Sequence, residues 1–350
     1  MKKIPTHVSY IINTVLIALL LSVGHLVMRG KADGQMLSSL SGGLSRAQMS
    51  VILQSGIYMI MAVSLNISTG YLGQLPLGHA GFMAVGGYAA ALFWKSGVFV
   101  PGMSTPMTIL MFAAGILIAG ITAAVFGIMI GIPALRLKGD YLAIITLGFG
   151  EIIRVVITNL SDITGGAAGL KRIPKSADLV QNSSFLLVYI CLALTCIAIH
   201  TMMKSRHGRA ILSIRGNEIA AESCGINTTY YKVMAFAFSA FFAGVAGALY
   251  ATNQAILVPK NFGFMDSINI LVMVVLGGMG SMLGSMISAA ILTALPLAMQ
   301  SFNEYRMIIY PILLILVMIF KPSGLMGNYD FSLSRILEKV LKKTKTGGGA

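Results

Sequence analysis

Charge is what this sequence has least of. Only 10% of its 350 residues are Asp, Glu, Lys or Arg, where a soluble domain carries roughly 25%. A chain this poor in charge and 56% hydrophobic has too little polar surface to face water as a globule. Cysteine is almost missing. Cys191, Cys196 and Cys224 are the three present, which excludes a disulfide framework, and their spacing is no metal motif. The five histidines, His7, His25, His79, His200 and His207, are scattered, and no Ser/His/Asp pattern is discernible. No G-x-x-x-x-G-K-[ST] phosphate loop occurs. These gaps argue against an enzyme. The net charge of +14 would suit nucleic acid in a soluble chain. Here the cations lie between and after apolar runs, so they serve membrane orientation instead.

What is abundant is apolar sequence in runs near the length that crosses a bilayer, about 20 residues at 1.5 Å each. The reading is an all-α polytopic membrane protein with about ten transmembrane helices. Residues 1–48 form a first span (Val8–Val27, retained rather than cleaved as a signal peptide) and an outer loop. Residues 49–325 form the transmembrane body, with spans near Met49–Ile67, His79–Phe93, Met107–Ile130, Tyr141–Ile157, Phe185–Met203, Val233–Ala251, Ser267–Leu276, up to Met299, and Arg306–Phe320. Residues 326–350 are a basic tail with the composition of a disordered segment. Ten spans put both termini on one side. Fifteen cations then fall on that side and nine on the other, which makes the termini and the 204–232 stretch cytoplasmic.

Two glycine-rich breaks interrupt the apolar pattern, at 70–81 and 277–284. Broken backbone at membrane depth is tolerated inside protein or beside a wet cavity, so Gly73, Gln74, His79 and Gly278 are candidates for a translocation path. The breaks also suggest two blocks of spans with inverted direction, two to five and seven to ten. Glu151 and Arg154 lie three apart on one helix face, roughly 16 Å from Asp140 along the helix. A lone charge at such depth is costly, so they are either an ion pair that fixes packing or a polar wall of the path. His79 is either a packed histidine or a path residue. The loop from Asn159 to Asn182 holds the run Thr164–Leu170, whose glycines allow a mobile backbone.

A long polar stretch in the second half is Lys204–Lys232. Asn217 can cap a short helix, Glu218 suits its first turn, Ala220 and Ala221 favour helix, and Gly225 followed by Ile226 supplies a stop. Arg209 and Arg215 flank it. Read from the residues alone, this is either a docking helix with an Ala-rich face or a solvated loop with one capped turn.

The residues Gly70–Ala91 (GYLGQLPLGHAGFMAVGGYAAA), Leu135–Arg154 (LRLKGDYLAIITLGFGEIIR), Thr164–Leu170 (TGGAAGL), Gly208–Tyr250 and Gly277–Gly284 together resemble the LivM-type permease of branched-chain amino acid ABC importers. The likeness covers roughly residues 50–325. It departs at Pro76, where the family pattern has Ser. The resemblance implies a bacterial inner-membrane subunit with no cofactor in this chain. It implies four kinds of partner: a second, LivH-like permease, two ABC ATPase subunits, an extracytoplasmic substrate-binding protein, and membrane lipid. Residues Arg209, Arg215, Glu218, Ala220, Ala221, Gly225 and Ile226 would then form the ATPase-coupling segment. Transport would follow alternating access. The alternatives are a urea or short-amide permease of the same type, and a proton-coupled secondary transporter using Glu151.

Overall fold

The computed structural model describes residues 46–98, 105–137, 139–171, 173, 184–254, 256–298 and 324, all within one compact unit, Ser45–Asn328. The expected spans at 8–27 and 306–320 and the basic tail lie outside the described residues. Among the described residues, five helices are long and apolar enough to cross a membrane. They lie within α1 (Arg46–Asn66, continued by a π-turn at Ile67–Tyr71), α3 (Thr105–Ala134), α4 (Asp140–Asn159), α6 (Ser184–Lys204) and α9 (Thr228–Asn253). Shorter apolar helices are α2 (His79–Phe93), α10 (Phe264–Gly277) and α11 (Met282–Ala298). The remaining helices are the single turn α5 (Ser161–Thr164) and the polar pair α7 (Arg206–Gly216) and α8 (Glu218–Ser223).

Residue size decides which helices are central. The apolar windows of α1 and α9 are 61% and 72% buried, against 22–28% for α3, α4 and α6. Helix α9 can sit at the centre because it meets its neighbours through glycine. A Cβ on Gly86 of α2 would lie 2.3 Å from Gly244 Cα, and one on Gly244 would lie 2.3 Å from Ala119 O of α3. Such backbone approach is the small-residue route to packing in lipid. Gly127 and Gly131 of α3 serve the same interface, since Cβ atoms there would meet Ala240 and Phe236 at 2.6 and 3.0 Å. The peripheral helices carry the exposed apolar side chains, including Leu110, Ile121 and Met129 on α3 and Ile144, Ile152 and Val156 on α4. An apolar exterior around a small-residue interior is what a lipid solvent selects.

Helix α9 runs opposite to α1. Its Ser239 Oγ donates to Ser64 O at 2.7 Å, while the polar helices that precede α9 meet the far end of α1. Each of these two helices is followed by a return that starts a new helix against α4. After α1, residues 72–78 lead to α2, and Leu77 N–H donates to Thr146 Oγ1 of α4 at 3.0 Å. After α9, the strand Ile256–Leu257 and a 3-10 turn at Pro259–Phe262 lead to α10, and Phe264 N–H donates to Glu151 Oε1 of α4 at 3.0 Å. The two internal starts touch, with Ala80 N–H donating to Ser267 Oγ at 3.2 Å. Residues 72–78 and 256–263 thus stand in comparable places, each between a long helix and a shorter one. The 277–284 break instead turns α10 back as the neighbour of α11, with Gly277 and Gly284 so close that a Cβ on Gly277 would lie 2.4 Å from Gly284 C.

The glycine run of the loop after α4 is fixed in place. Gly165, Gly166 and Gly169 have φ of 75°, 57° and 77°, which glycine adopts without the Cβ penalty. They let Leu170–Lys171 pair antiparallel with Ile256–Leu257, and Thr164 Oγ1 donates to Ile157 O at 2.6 Å. The only strands among the described residues are thus a two-residue pair in an otherwise helical body, and the expected mobile loop is a folded turn over that part of its length.

Candidate docking and coupling site

Three polar side chains in succession build the segment between α6 and α9. Ser205 Oγ accepts from Gly208 N–H at 3.4 Å and opens α7. Asn217 Oδ1 accepts from Ala220 N–H at 3.1 Å and opens α8. Asn227 Oδ1 accepts from Tyr230 N–H at 3.1 Å and opens α9. Each satisfies a backbone donor that a helix start leaves free. Helix α8 ends as the sequence predicts. Gly225 takes φ 80°, its N–H donates to Glu222 O at 2.9 Å, and Ile226 N–H reaches Ala221 O at 3.1 Å. That is a Schellman stop. Sequence reading missed α7 altogether, although Ser205 before an Arg-rich run with Ile211 and Ile214 three apart was the available signal. Both isoleucines are buried.

The exposed face of α8 differs from the expected one. Ala221 is only 4% exposed, so it seats α8 on the bundle rather than presenting a surface. Its neighbour Ile219 is 71% exposed, an apolar side chain on an otherwise polar helix, with Ala220 exposed beside it. The acidic residues hold the helix down. Glu218 Oε1 accepts from Lys232 Nζ at 2.6 Å, the Lys232 side chain being 4% exposed, and Glu222 Oε1 accepts from Thr228 Oγ1 at 2.6 Å. Lys232 was counted in sequence only as a cation. Here it is the buried anchor that ties α8 to the first turn of α9. Arg209 stays exposed on α7, donating to Lys204 O at 3.2 Å.

Arg215, expected beside the docking helix, turns toward the glycine breaks. Its Nη1 donates to Gly70 O. Its stem passes Gly73, where a Cβ would lie 3.1 Å from Arg215 Cγ. A Cβ on Gly280 would lie 3.2 Å from Arg215 Nη1. The breaks are also joined directly, Gly280 N–H donating to Asn66 Oδ1 at 2.9 Å. Gly73, Gly278 and Gly280 have φ of 77°, 109° and 93°, conformations an L side chain would strain. Asn66 Nδ2, Ser68 Oγ and Gln74 Oε1 are buried here without a partner among the described residues. So the structure brings Gly70, Gly73 and Gly280 to Arg215, with Gln74 one residue from Gly73 and Gly278 two residues from Gly280 in sequence.

The other candidates for a path lie elsewhere. His79 is 1% exposed, its Nε2 is 2.9 Å from Ser64 Oγ, and its ring meets Phe82 edge-on, so it is packed. Glu151 and Arg154 pair with each other at 2.7 Å, and the second carboxylate oxygen of Glu151 caps α10. Among the described residues no group of three or more His, Cys, Asp or Glu could hold a metal ion.

A bundle of apolar helices with internal helix starts, a glycine-lined polar junction and a capped polar helix pair at one end has the make-up of a membrane transport subunit. The family described as "Branched-chain amino acid transport system / permease component" matches residues 48–318, and the chain belongs to that family. It is 35% identical over 311 residues to the high-affinity branched-chain amino acid transport system permease protein LivM of Salmonella typhimurium, covering 81% of this chain and 71% of that one. The probable LivM of Methanocaldococcus jannaschii is 25% identical, covering 83% of this chain and 96% of that one. The permease protein LivH of Salmonella typhimurium is 27% identical, covering 77% of this chain and 91% of that one. No solved structure matches the chain.

Proposed function

We propose that this chain is a membrane-spanning permease subunit of an ATP-binding-cassette importer that carries branched-chain amino acids into the cytoplasm. The observation that carries the reading is the capped pair α7–α8. It projects an exposed Ile219 from a helix fixed by a Lys232–Glu218 pair buried on its lysine side, in a chain whose relatives are transport permeases. A rigid helix with one protruding apolar side chain fits a groove on a separate ATPase, which would supply the energy that this chain's missing phosphate loop cannot.

In this reading α7 and α8 face the cytoplasm of a bacterial inner membrane, as do both termini. The partners are a second, LivH-like permease, two ATPases and an extracytoplasmic binding protein, which selects the substrate. The complete chain spans about ten times in two blocks of opposite direction. Helices α1 and α9 lead those blocks, and the returns at 72–78 and 254–263 correspond, the geometry that inverted repeats produce. Alternating access follows when ATP-driven closure of the ATPases moves α7 and α8 against the bundle. The path runs beside the polar junction at Gly73, Gln74 and Gly278. The Glu151–Arg154 face, open by about a third, serves the start of α10.

Co-expression with the neighbouring genes tests this. The ATPases should co-purify with the detergent-extracted wild-type chain, and reconstituted vesicles should take up leucine, isoleucine or valine only with ATP and the binding protein. Uptake of urea or short amides in place of amino acids would move the substrate. Uptake by this chain alone would make it a secondary transporter.

A further inference from the structure

The observations that point furthest concern Arg215. It leaves the last turn of α7, and one guanidinium nitrogen donates to the carbonyl of Gly70 at the end of the π-turn that closes α1. The same nitrogen lies beside Gly280 in the second break, and its stem lies along Gly73. Both breaks depend on glycine at these points, because a side chain at Gly70 would meet Asn66 Oδ1 at 1.9 Å and Gly280 N at 2.3 Å. No carboxylate among the described residues forms an ion pair with Arg215. Its charge is met instead by the carbonyl end of α1, where the helix dipole favours a cation.

We propose that Arg215 is the positioning residue that couples the α7–α8 pair to the two glycine breaks. The proposal rests on the reading of that pair as the ATPase-docking segment. The stiff connection is made of short pieces. Ile211 and Ile214 bury α7 in the bundle, Asn217 joins α7 to α8 without a flexible linker, and Arg215 lies one turn from Ile211 and two residues before the Asn217 joint. A movement of α8 therefore moves Arg215. Because Gly280 N–H is held by Asn66 Oδ1, a displacement at Gly70 is felt by both breaks together. Guanidinium suits the role better than ammonium, since its planar fork can hold one carbonyl while presenting further donors to a second site.

The test uses the complete complex in vesicles, with the binding protein and a branched-chain amino acid, and three variants: Arg215→Gln, Arg215→Lys and Ile219→Arg. Arg215→Gln should keep the ATPases bound and hydrolysing within about twofold of wild type. The amino acid moved per ATP should fall about tenfold, the scale of one charge-assisted hydrogen bond. Arg215→Lys should recover part of that ratio. Loss of ATPase binding in Arg215→Gln, an equal fall in hydrolysis and transport, or an unchanged ratio would each overturn the proposal. Ile219→Arg separates the underlying reading: it should release the ATPases. If they stay bound, the docking reading fails, and the coupling role of Arg215 fails with it. If they are released while Arg215→Gln leaves the ratio unchanged, docking stands and only the Arg215 proposal falls.

Discussion

At the scale of single residues, two charged pairs inside an apolar chain have opposite partners and the same task. Glu151 accepts both from Arg154 and from the free N–H of Phe264. A helix start leaves such a donor free, and the carboxylate satisfies it. Glu151→Gln keeps an oxygen for the cap and loses only a half-exposed ion pair, whereas Glu151→Ala loses both. Thermal unfolding in detergent should show Ala less stable by about 1–2 kcal/mol and Gln by less than half of that, with amino acid uptake retained in the Gln variant. Abolished uptake in Glu151→Gln with unchanged stability would restore a proton-coupled role. The second pair, Lys232–Glu218, is buried on the lysine side. Lys232→Met should loosen α8 by about 1–3 kcal/mol, since it removes a charge-assisted bond. Hydrogen exchange should rise across Glu218–Ser223 while the core of α9 stays protected.

At the scale of elements, the bundle depends on where glycine permits backbone contact. Gly86→Val would drive side-chain atoms into Gly244 at the crossing of α2 and α9 and should cost about 1–3 kcal/mol or more. Gly148→Ala, which meets nothing within 4 Å, should leave stability unchanged or slightly raised, as helix propensity favours alanine. The comparison is a melting curve of the two variants beside wild type. These crossings also show how far the elements could be read in advance. The five long spans, both breaks, the Asn217 cap and the Gly225 stop were legible because each has a local signature, such as apolar length, clustered glycine or a capping side chain. The joining of 72–78 and 256–264 to α4 was not. It depends on Thr146 and Glu151 of α4 reaching helix starts from 69 and 113 positions away, and no local pattern encodes that. The inward face of Ala221 was misread for a related reason. Alanine suits a docking surface and a packed one equally, and only the burial of its neighbours decides between them.

At the scale of the whole molecule, the exposed apolar flanks of α3, α4 and α6 belong against lipid or another membrane subunit, and the polar work is gathered at the end that carries α7 and α8. This division separates what the chain does from what it lacks. It holds a junction of two glycine breaks, a cap network that fixes α8, and no phosphate loop. An account in which energy arrives from a separate protein requires that protein to bind at Ile219. The measurement that tests this most directly is co-purification of the ATPases with the solubilised chain, wild type against Ile219→Arg. Ile219 is exposed and outside the cap network, so the variant should fold with an unchanged melting curve. The account predicts that ATPases accompany the wild type and are lost from the variant, a change of at least about tenfold for a charge placed in an apolar contact. Equal recovery of ATPases with both chains, or uptake by the purified chain without them, would contradict it.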